Sequence, residues 1–300
     1  MIWKPGKDMH YSKQLHARNH LIKSVLGNML FPVFGFPHRN GDLLVLNLHS
    51  VPHRFADELR HLIEFLGRHF ELQSPAYLEQ FYHGAAPVQG SRPSVVFTFD
   101  DGLRNNFRAA QVLEAFGIRG LFFVVPDFFQ AAEDAQETYY RTHIRNIINP
   151  HYDREPEDFR AMNIEQLLQL KAQGHVLGSH SMSHTMSKEQ DHDVLVHEVV
   201  QSKEVLDRVL QQKTTHFCAP FNSLERVSAT AMQLIRAHYS YFHSTFPGSN
   251  LEERNPMFIR RVNVEAFWLT GAVKYACSGR EWQRWREDSA QFQTLSEQQQ

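Results

Sequence analysis

From Asp42 onward, short apolar runs alternate with stretches of helical periodicity, and this rhythm restricts the fold more than any other feature of the chain. Parallel strands cannot be joined by a tight turn; they need a crossover, which a helix supplies, so repeated strand-helix units predict a parallel sheet covered by helices. The pattern predicts strands over Leu43 to Leu48, Ser94 to Phe99, Gly120 to Val125, His175 to Gly178, Thr215 to Cys218 and Phe258 to Val264. It predicts helices over Phe55 to His69, Asn105 to Phe116, Ile164 to Gln173, Val194 to Gln211 and Ser223 to Ala237, with Gly117 and Gly174 as stop signals. A chain of 300 residues with 42% hydrophobic content can bury one large core. We therefore expect an N-terminal extension, partly helical, over 1–41, a catalytic α/β domain over 42–270 and a C-terminal tail over 271–300 whose last residues, Leu295 to Gln300, are polar and disordered.

Two stretches break the rhythm. Between Phe128 and Asn163 the chain is polar and charged; Ala131 to Ile148 has helical character, while Asn149-Pro150-His151 and Glu155-Pro156 interrupt it. An insertion over 129–162 at the C-terminal ends of the strands would lie beside a reactive site, either as a cap over substrate or as a surface excursion. Leu21 to Phe36 is apolar, but Lys23, Gly27, Asn28 and Pro32 interrupt it and it is too short to span a bilayer. Leu21, Ile22, Val25, Leu26, Met29 and Leu30 share helical spacing, with Lys13, Arg18 and Lys23 nearby. Packing on the domain's own core is the favoured reading, and peripheral contact with a membrane surface is the alternative.

A net charge of −2 and the lack of any Lys/Arg cluster argue against a nucleic-acid partner. Cys218 and Cys277 stand far apart, outside any Cys-x-x-Cys spacing, which predicts free thiols and a reducing compartment. Met1 to Asp8 lacks the apolar core of a secretory signal, so a cytoplasmic location, with or without membrane association, is expected.

The chemistry is concentrated in two places. Thr98-Phe99-Asp100-Asp101-Gly102 closes an apolar strand, and His180-Ser181-Met182-Ser183-His184 follows a Gly-Ser turn. Consecutive side chains within a strand face opposite ways; at a strand end, where Gly102 lets the chain turn, both aspartates can reach one pocket with different tasks. Adjacent carboxylates repel unless a divalent cation neutralises them. His180 and His184 are four apart, so a helical turn would place both on one face, a spacing used for metal chelation. An Asp-Asp-Gly alone is a common turn, and 19 histidines make chance pairs expected; order and context raise the signal.

With these motifs the sequence resembles the polysaccharide deacetylase family (NodB homology, carbohydrate esterase family four), in particular its exopolysaccharide-type branch. The likeness runs from about Leu43 to Val264. Leu46-Asn47-Leu48-His49-Ser50-Val51 is similar to an opening strand of that branch, and Met162 to Gly178 to the segment before the histidines. The resemblance implies a distorted, incomplete (β/α) barrel, with Asp100 as catalytic base and Asp101, His180 and His184 as ligands of a divalent metal, zinc by default, cobalt or nickel by the same donor chemistry. The implied reaction is removal of an N-acetyl group from an amino sugar in a polysaccharide or its precursor. Water attacks the acyl carbonyl as Asp100 takes its proton, and a backbone N–H near Phe221 stabilises the oxyanion.

Two motifs depart from the family. The third usually reads Arg-x-Pro-aromatic-Gly, whereas here it is Cys218-Ala219-Pro220-Phe221-Asn222. Pro220 and Phe221 can still form a wall of the substrate groove, but no arginine stands there to hold the base. We expect Arg261, in the last strand, to reach Asp100 instead, the alternative being an arginine on the rim paired with surface carboxylates. The late Leu-x-His motif, which often furnishes the general acid, has no recognisable counterpart; His238 and His243 are expected to be structural, and the proton donor stays open between a metal-bound water and protonated Asp100. Hydrolysis of a non-sugar amide or cyclic imide, and a carbohydrate-binding pseudoenzyme, are the competing readings. The oligomeric state is not legible.

Overall fold

A computed structural model describes residues 20–32, 35–84, 92–145, 153–221, 223–280 and 282–297. The predicted alternation folds into one parallel sheet of strands β1 (Leu43–Leu48), β2 (Glu71–Leu72), β3 (Ser94–Phe99), β4 (Leu121–Val124), β5 (Val176–Ser179), β6 (His216–Cys218), β7 (Tyr241–His243) and β8 (Val262–Asn263). The order is β7-β6-β5-β4-β3-β1-β8, with β2 pairing β3 off this path. All of these strand pairings are parallel, as the crossover helices require. The sheet curls until its last segment touches both edges: Ile259 bridges His243 of β7, and Val262 and Asn263 pair with Leu46 and Asn47 of β1. One bridge on the β7 side leaves the (β/α) barrel incomplete, as expected.

Strands β1 and β3 are buried on both faces, and period-two alternation sorts their side chains. Leu44, Leu46, Leu48, Val95, Phe97 and Phe99 pack outward under the helices. Leu43, Val45 and Val96 point inward and meet Leu78, Phe81 and Tyr82 of the helix Pro75–Tyr82, which plugs the barrel from below. The next inward positions up the same strands are Asn47, Thr98 and then Asp100, all buried. The interior is thus apolar at its floor and polar at its mouth, which leaves the strand C-termini free for chemistry.

Several boundaries differ from the sequence reading. The helix expected over Val194 to Gln211 contains a π-helical turn at His197–Gln201 between the helices His192–Val196 and Ser202–Leu210. Within the insertion, the helix Gln136–Tyr139 runs into a π turn at Tyr140–Ile144. The C-terminal residues are more structured than a tail: helix Thr270–Ala276 packs on the N-terminal helix, and helix Arg286–Glu297 buries Phe292 against Phe242, Phe246 and Phe258. Of the stretch expected to be disordered, Leu295 to Glu297 belong to that helix, and 298–300 lie outside the described residues.

The favoured reading of the apolar N-terminal stretch is corrected. Residues 20–32 are helical, but Leu21, Ile22, Val25, Leu26 and Met29 are exposed and the buried side is Ser24 and Gly27. The reason is steric. A Cβ on Gly27 would come within 1.8 Å of the Gly271 carbonyl oxygen, so the two helix backbones touch and only the small-residue side can face the domain.

Candidate active site

Asp100 and Asp101 follow β3 directly. Asp100 continues the inward register, its N–H donating to the Leu48 carbonyl, while Asp101 has φ 74° and Gly102 φ 67°. A Cβ on Gly102 would sit 3.0–3.1 Å from Val124, so both the backbone conformation and the space demand glycine there. The left-handed turn swings Asp101 to the same mouth as Asp100.

His180 and His184 do not share a helix face. Residues 180–186 form an irregular loop in which Ser181 (φ 63°) and His184 (φ 64°) are also left-handed, and these torsions, not helical spacing, bring the rings together with centroids 5.0 Å apart. Four residues of the site, Asp101, Ser181, His184 and Phe221, hold this costly conformation, which persists only where the surroundings over-determine it. The bracing is visible. Buried Glu198, in the π turn, accepts from the Ser183 N–H at 3.1 Å, and its carbonyl accepts from the Met182 N–H at 3.1 Å. Tyr139 of the insertion donates to the Ser183 carbonyl at 2.8 Å. The insertion therefore supports the histidine loop directly. Neither Glu198 nor Tyr139 was found by sequence reasoning; a buried carboxylate beside a π turn is visible only in three dimensions.

The carboxylate oxygen of Asp101 lies 3.6 Å from His180 Nε2 and 3.3 Å from His184 Nε2. Both Nδ1 atoms face backbone carbonyls, His180 that of Cys218 at 2.8 Å and His184 that of His143 at 2.7 Å. A carbonyl only accepts, so each Nδ1 carries a proton and Nε2 of each ring faces Asp101; burial disfavours charge on both rings, yet Cys218, Asp100 and Asp101 raise the His180 pKa well above its ordinary value, while His184 is lowered. Once His180 gives up its Nε2 proton, two lone pairs and a carboxylate oxygen converge here, an arrangement that a divalent cation stabilises, and metal–nitrogen and metal–oxygen distances of about 2.0–2.2 Å fit. The donor set therefore suits a divalent ion. A second group of ligand types among the described residues, Asp100, His180 and Cys218, suits one less well. The Cys218 sulfur already receives Arg261 Nη2 at 2.7 Å, and burial pushes its thiol up despite that guanidinium.

Arg261 sits on the closing segment between β7 and β8, with its side chain fully buried. Its guanidinium grips Asp100 with two bonds, Nη1 to Oδ1 at 2.7 Å and Nη2 to Oδ2 at 3.0 Å. Nη1 also donates to Thr98 Oγ1 at 3.1 Å and Nε to the Ser244 carbonyl at 2.9 Å. Burial would raise the Asp100 carboxyl, but Arg261 outweighs it and holds it below the usual carboxylate range. Cys218, at the end of β6, lies against this guanidinium and packs beside Asp100.

One pair at the rim escaped the sequence reading. Continuing the register that aligns Asn47 with Asn263 places His49 opposite Glu265, and His49 Nδ1 lies 3.0 Å from Glu265 Oε1. Burial disfavours charge on His49, yet Glu265, with smaller contributions from Asp101 and Asp100, raises its pKa. The signal was present in the Leu-Asn-Leu-His-Ser stretch, but its partner is 216 residues away. Phe221 is 48% exposed and stands edge-on to His184 at 4.7 Å, beside buried Pro220. Asn222 lies outside the described residues. His243 is buried under Phe123, facing His216 rather than the mouth.

The sequence profile of the polysaccharide deacetylase family matches residues 88–239, half of the chain, and the protein belongs to that family. No curated protein matches the chain. Among solved structures, it is similar to the deacetylase domain of BpsB from Bordetella bronchiseptica, with 18% identity, TM-score 0.58 and coverage of 76% of this chain and 98% of that one. IcaB from Ammonifex degensii gives 21% identity, TM-score 0.55 and coverage of 78% and 97%. The deacetylase PplD of Streptococcus pyogenes, solved with acetate, gives 17%, 0.52, and 74% and 92%. At these identities the likeness is one of fold.

Proposed function

We propose that the protein is a metal-dependent carbohydrate N-deacetylase, acting on an acetylated amino sugar within a glycan or its precursor. The single observation that carries this reading is the meeting of Asp101, His180 and His184, with proton-bearing Nδ1 atoms turned away, beside a separately held carboxylate, Asp100. Asp101, His180 and His184 would hold the ion, zinc by default, with cobalt or nickel equally matched to the ligands. When bound, such an ion supplies Lewis acidity, polarising an acyl carbonyl and acidifying water.

The chain's own groups do the rest. Asp100, kept ionised and fixed in direction by Arg261, takes the proton from the attacking water. His49, oriented through Nδ1 by Glu265 and biased toward its charged form, presents Nε2 as the donor that protonates the departing amine. Phe221 offers an aromatic face against which a sugar ring can stack, with Pro220 completing that wall. The acyl group leaves as acetate. The acetate in the PplD structure and the similarity to the BpsB deacetylase domain support this choice of substrate class. Both cysteines are buried free thiols, which favours a reducing, cytoplasmic setting and a biosynthetic precursor over finished polymer.

The deciding experiment incubates zinc-loaded protein with acetylated amino-sugar oligomers, cyclic imides and simple amides, and measures acetate or ring-opened product. Acetate release from the sugars alone, abolished by chelation and restored by metal, is expected. Turnover of imides only transfers the site to the non-sugar reading. Tight sugar binding without turnover in the loaded protein makes it a binding module.

A further inference from the structure

The helix over 20–32 is mounted inside out. Its small residues, Ser24 and Gly27, press on Gly271 and Tyr275 of the helix Thr270–Ala276, and its five large apolar residues, between 38% and 69% exposed, form one outward stripe. Leu269, at the start of the neighbouring helix, is 61% exposed. Contiguous apolar surface of this kind marks an interaction face. Packing cannot account for it, because turning the stripe inward would drive Leu and Val side chains into a backbone contact that has no room for one Cβ.

Charge identifies the occupant. Residues 1–41 contain six Lys/Arg (Lys4, Lys7, Lys13, Arg18, Lys23 and Arg39) and a single acidic residue, Asp8. This segment carries +5 in a chain whose total is −2, so residues 42–300 carry −7. Two copies meeting through this face would bring like charges together, whereas an anionic lipid surface offers an apolar layer for the stripe and negative headgroups for the cations that flank it in the sequence. Among the described residues no helix is long and apolar enough to cross a membrane, so the contact would lie in the plane of the interface.

We propose that the helix 20–32, with its basic flank, docks the protein on an anionic lipid surface. The docked face adjoins the reactive mouth. His20, at the helix start, contacts Phe267 and Trp268, and the same loop carries Glu265, the partner of His49. Docking would therefore hold the rim of the site beside the headgroups, within reach of a glycan carried on lipid. This last consequence rests on the hydrolase reading; the docking itself does not.

The test is flotation of the full chain with vesicles of phosphatidylcholine alone and of phosphatidylcholine with phosphatidylglycerol. Protein should float with the anionic vesicles, and the bound fraction should fall at least about tenfold in the Leu21→Gln/Val25→Gln/Met29→Gln variant and in Lys13→Glu/Arg18→Glu/Lys23→Glu. None of these residues belongs to the set formed by Asp100, Asp101, His180, His184 and His49, so zinc content and turnover of a soluble acetylated sugar should be unchanged. Absence of flotation at low salt overturns the proposal, as does equal partition into neutral vesicles. A dimer in sedimentation that the Gln variant converts to monomer, with vesicle binding unaltered, assigns the face to a second copy instead. Because flotation does not depend on turnover, it can succeed or fail independently of the deacetylase assay.

Discussion

The two halves of the site are built differently. On one side Asp101, His180 and His184 come from short motifs, and their rings are locked by backbone carbonyls, Cys218 for one and His143 for the other. On the other side Asp100 is held by a guanidinium 161 residues later, with the Cys218 sulfur and Thr98 hydroxyl filling the same pocket. The first half has a local signature. The second is a packing solution in which an arginine on the closing segment before β8 serves a carboxylate at the end of β3. A charge at a fixed place in space can be supplied from several places in sequence, whereas the direction of a metal-binding lone pair depends on the backbone around it.

This contrast can be broken experimentally. His184→Ala should lose stoichiometric metal and lower turnover on the order of 10⁴-fold, read by elemental analysis and acetate release. Asp100→Asn should retain metal yet lower turnover about 10²–10⁴-fold; loss of metal in that variant would show that the two halves are not separate. His49→Gln should reduce kcat about tenfold to a hundredfold with little change in metal content, and its pH profile should lose the limb on which a protonated imidazole is needed.

Arg261→Met sharpens the comparison through stability. It leaves a buried carboxylate without its cation, and removing one member of such a pair costs about 3–5 kcal/mol, measured by denaturant unfolding of the metal-free protein. If the arginine is needed at a place in space and not at a place in sequence, Cys218→Arg combined with Arg261→Ala should recover part of the lost stability and turnover. No recovery would mean that the closing segment itself, and not the charge, matters. The smallest expected effect is on acid stability. The folded Asp100 carboxyl lies below its ordinary 3.8, so its ion pair contributes fully above that pH, and the contribution fades as pH falls through the lower folded value. Asp100→Asn should flatten that part of the acid limb, followed by circular dichroism.

The order of β1, β3, β4, β5, β6 and β8 was legible because apolar runs such as β1, β3 and β4 are long enough to be read alone, whereas β2, the helix Pro75–Tyr82 and β7 were not read, being short segments set by their neighbours. Asp100, Asp101, His180 and His184 were legible as a set for the same reason: their neighbours Gly102 and Ser179 mark a turn and a strand end. Their geometry was not. The helical spacing read into His180 and His184 is replaced by two left-handed residues, since tertiary bracing by Glu198 and Tyr139 can override local preference where regular structure ends. The His49 and Glu265 pair depends on the register between the first and last strands, which no local pattern encodes.

The outward stripe at Leu21 to Met29 makes the same point in reverse. Periodicity identified the apolar face correctly, but which face turns inward was decided by how closely two backbones approach at Gly27 and Gly271. By itself, then, the sequence determined the layered α/β order and the chemical types gathered at the strand ends, because hydrophobic period and turn residues act over a few positions. Only the tertiary structure decided which arginine faces Asp100, what orients each imidazole and which side of the first helix meets solvent, because those outcomes depend on register, closure and steric room between segments far apart in the chain.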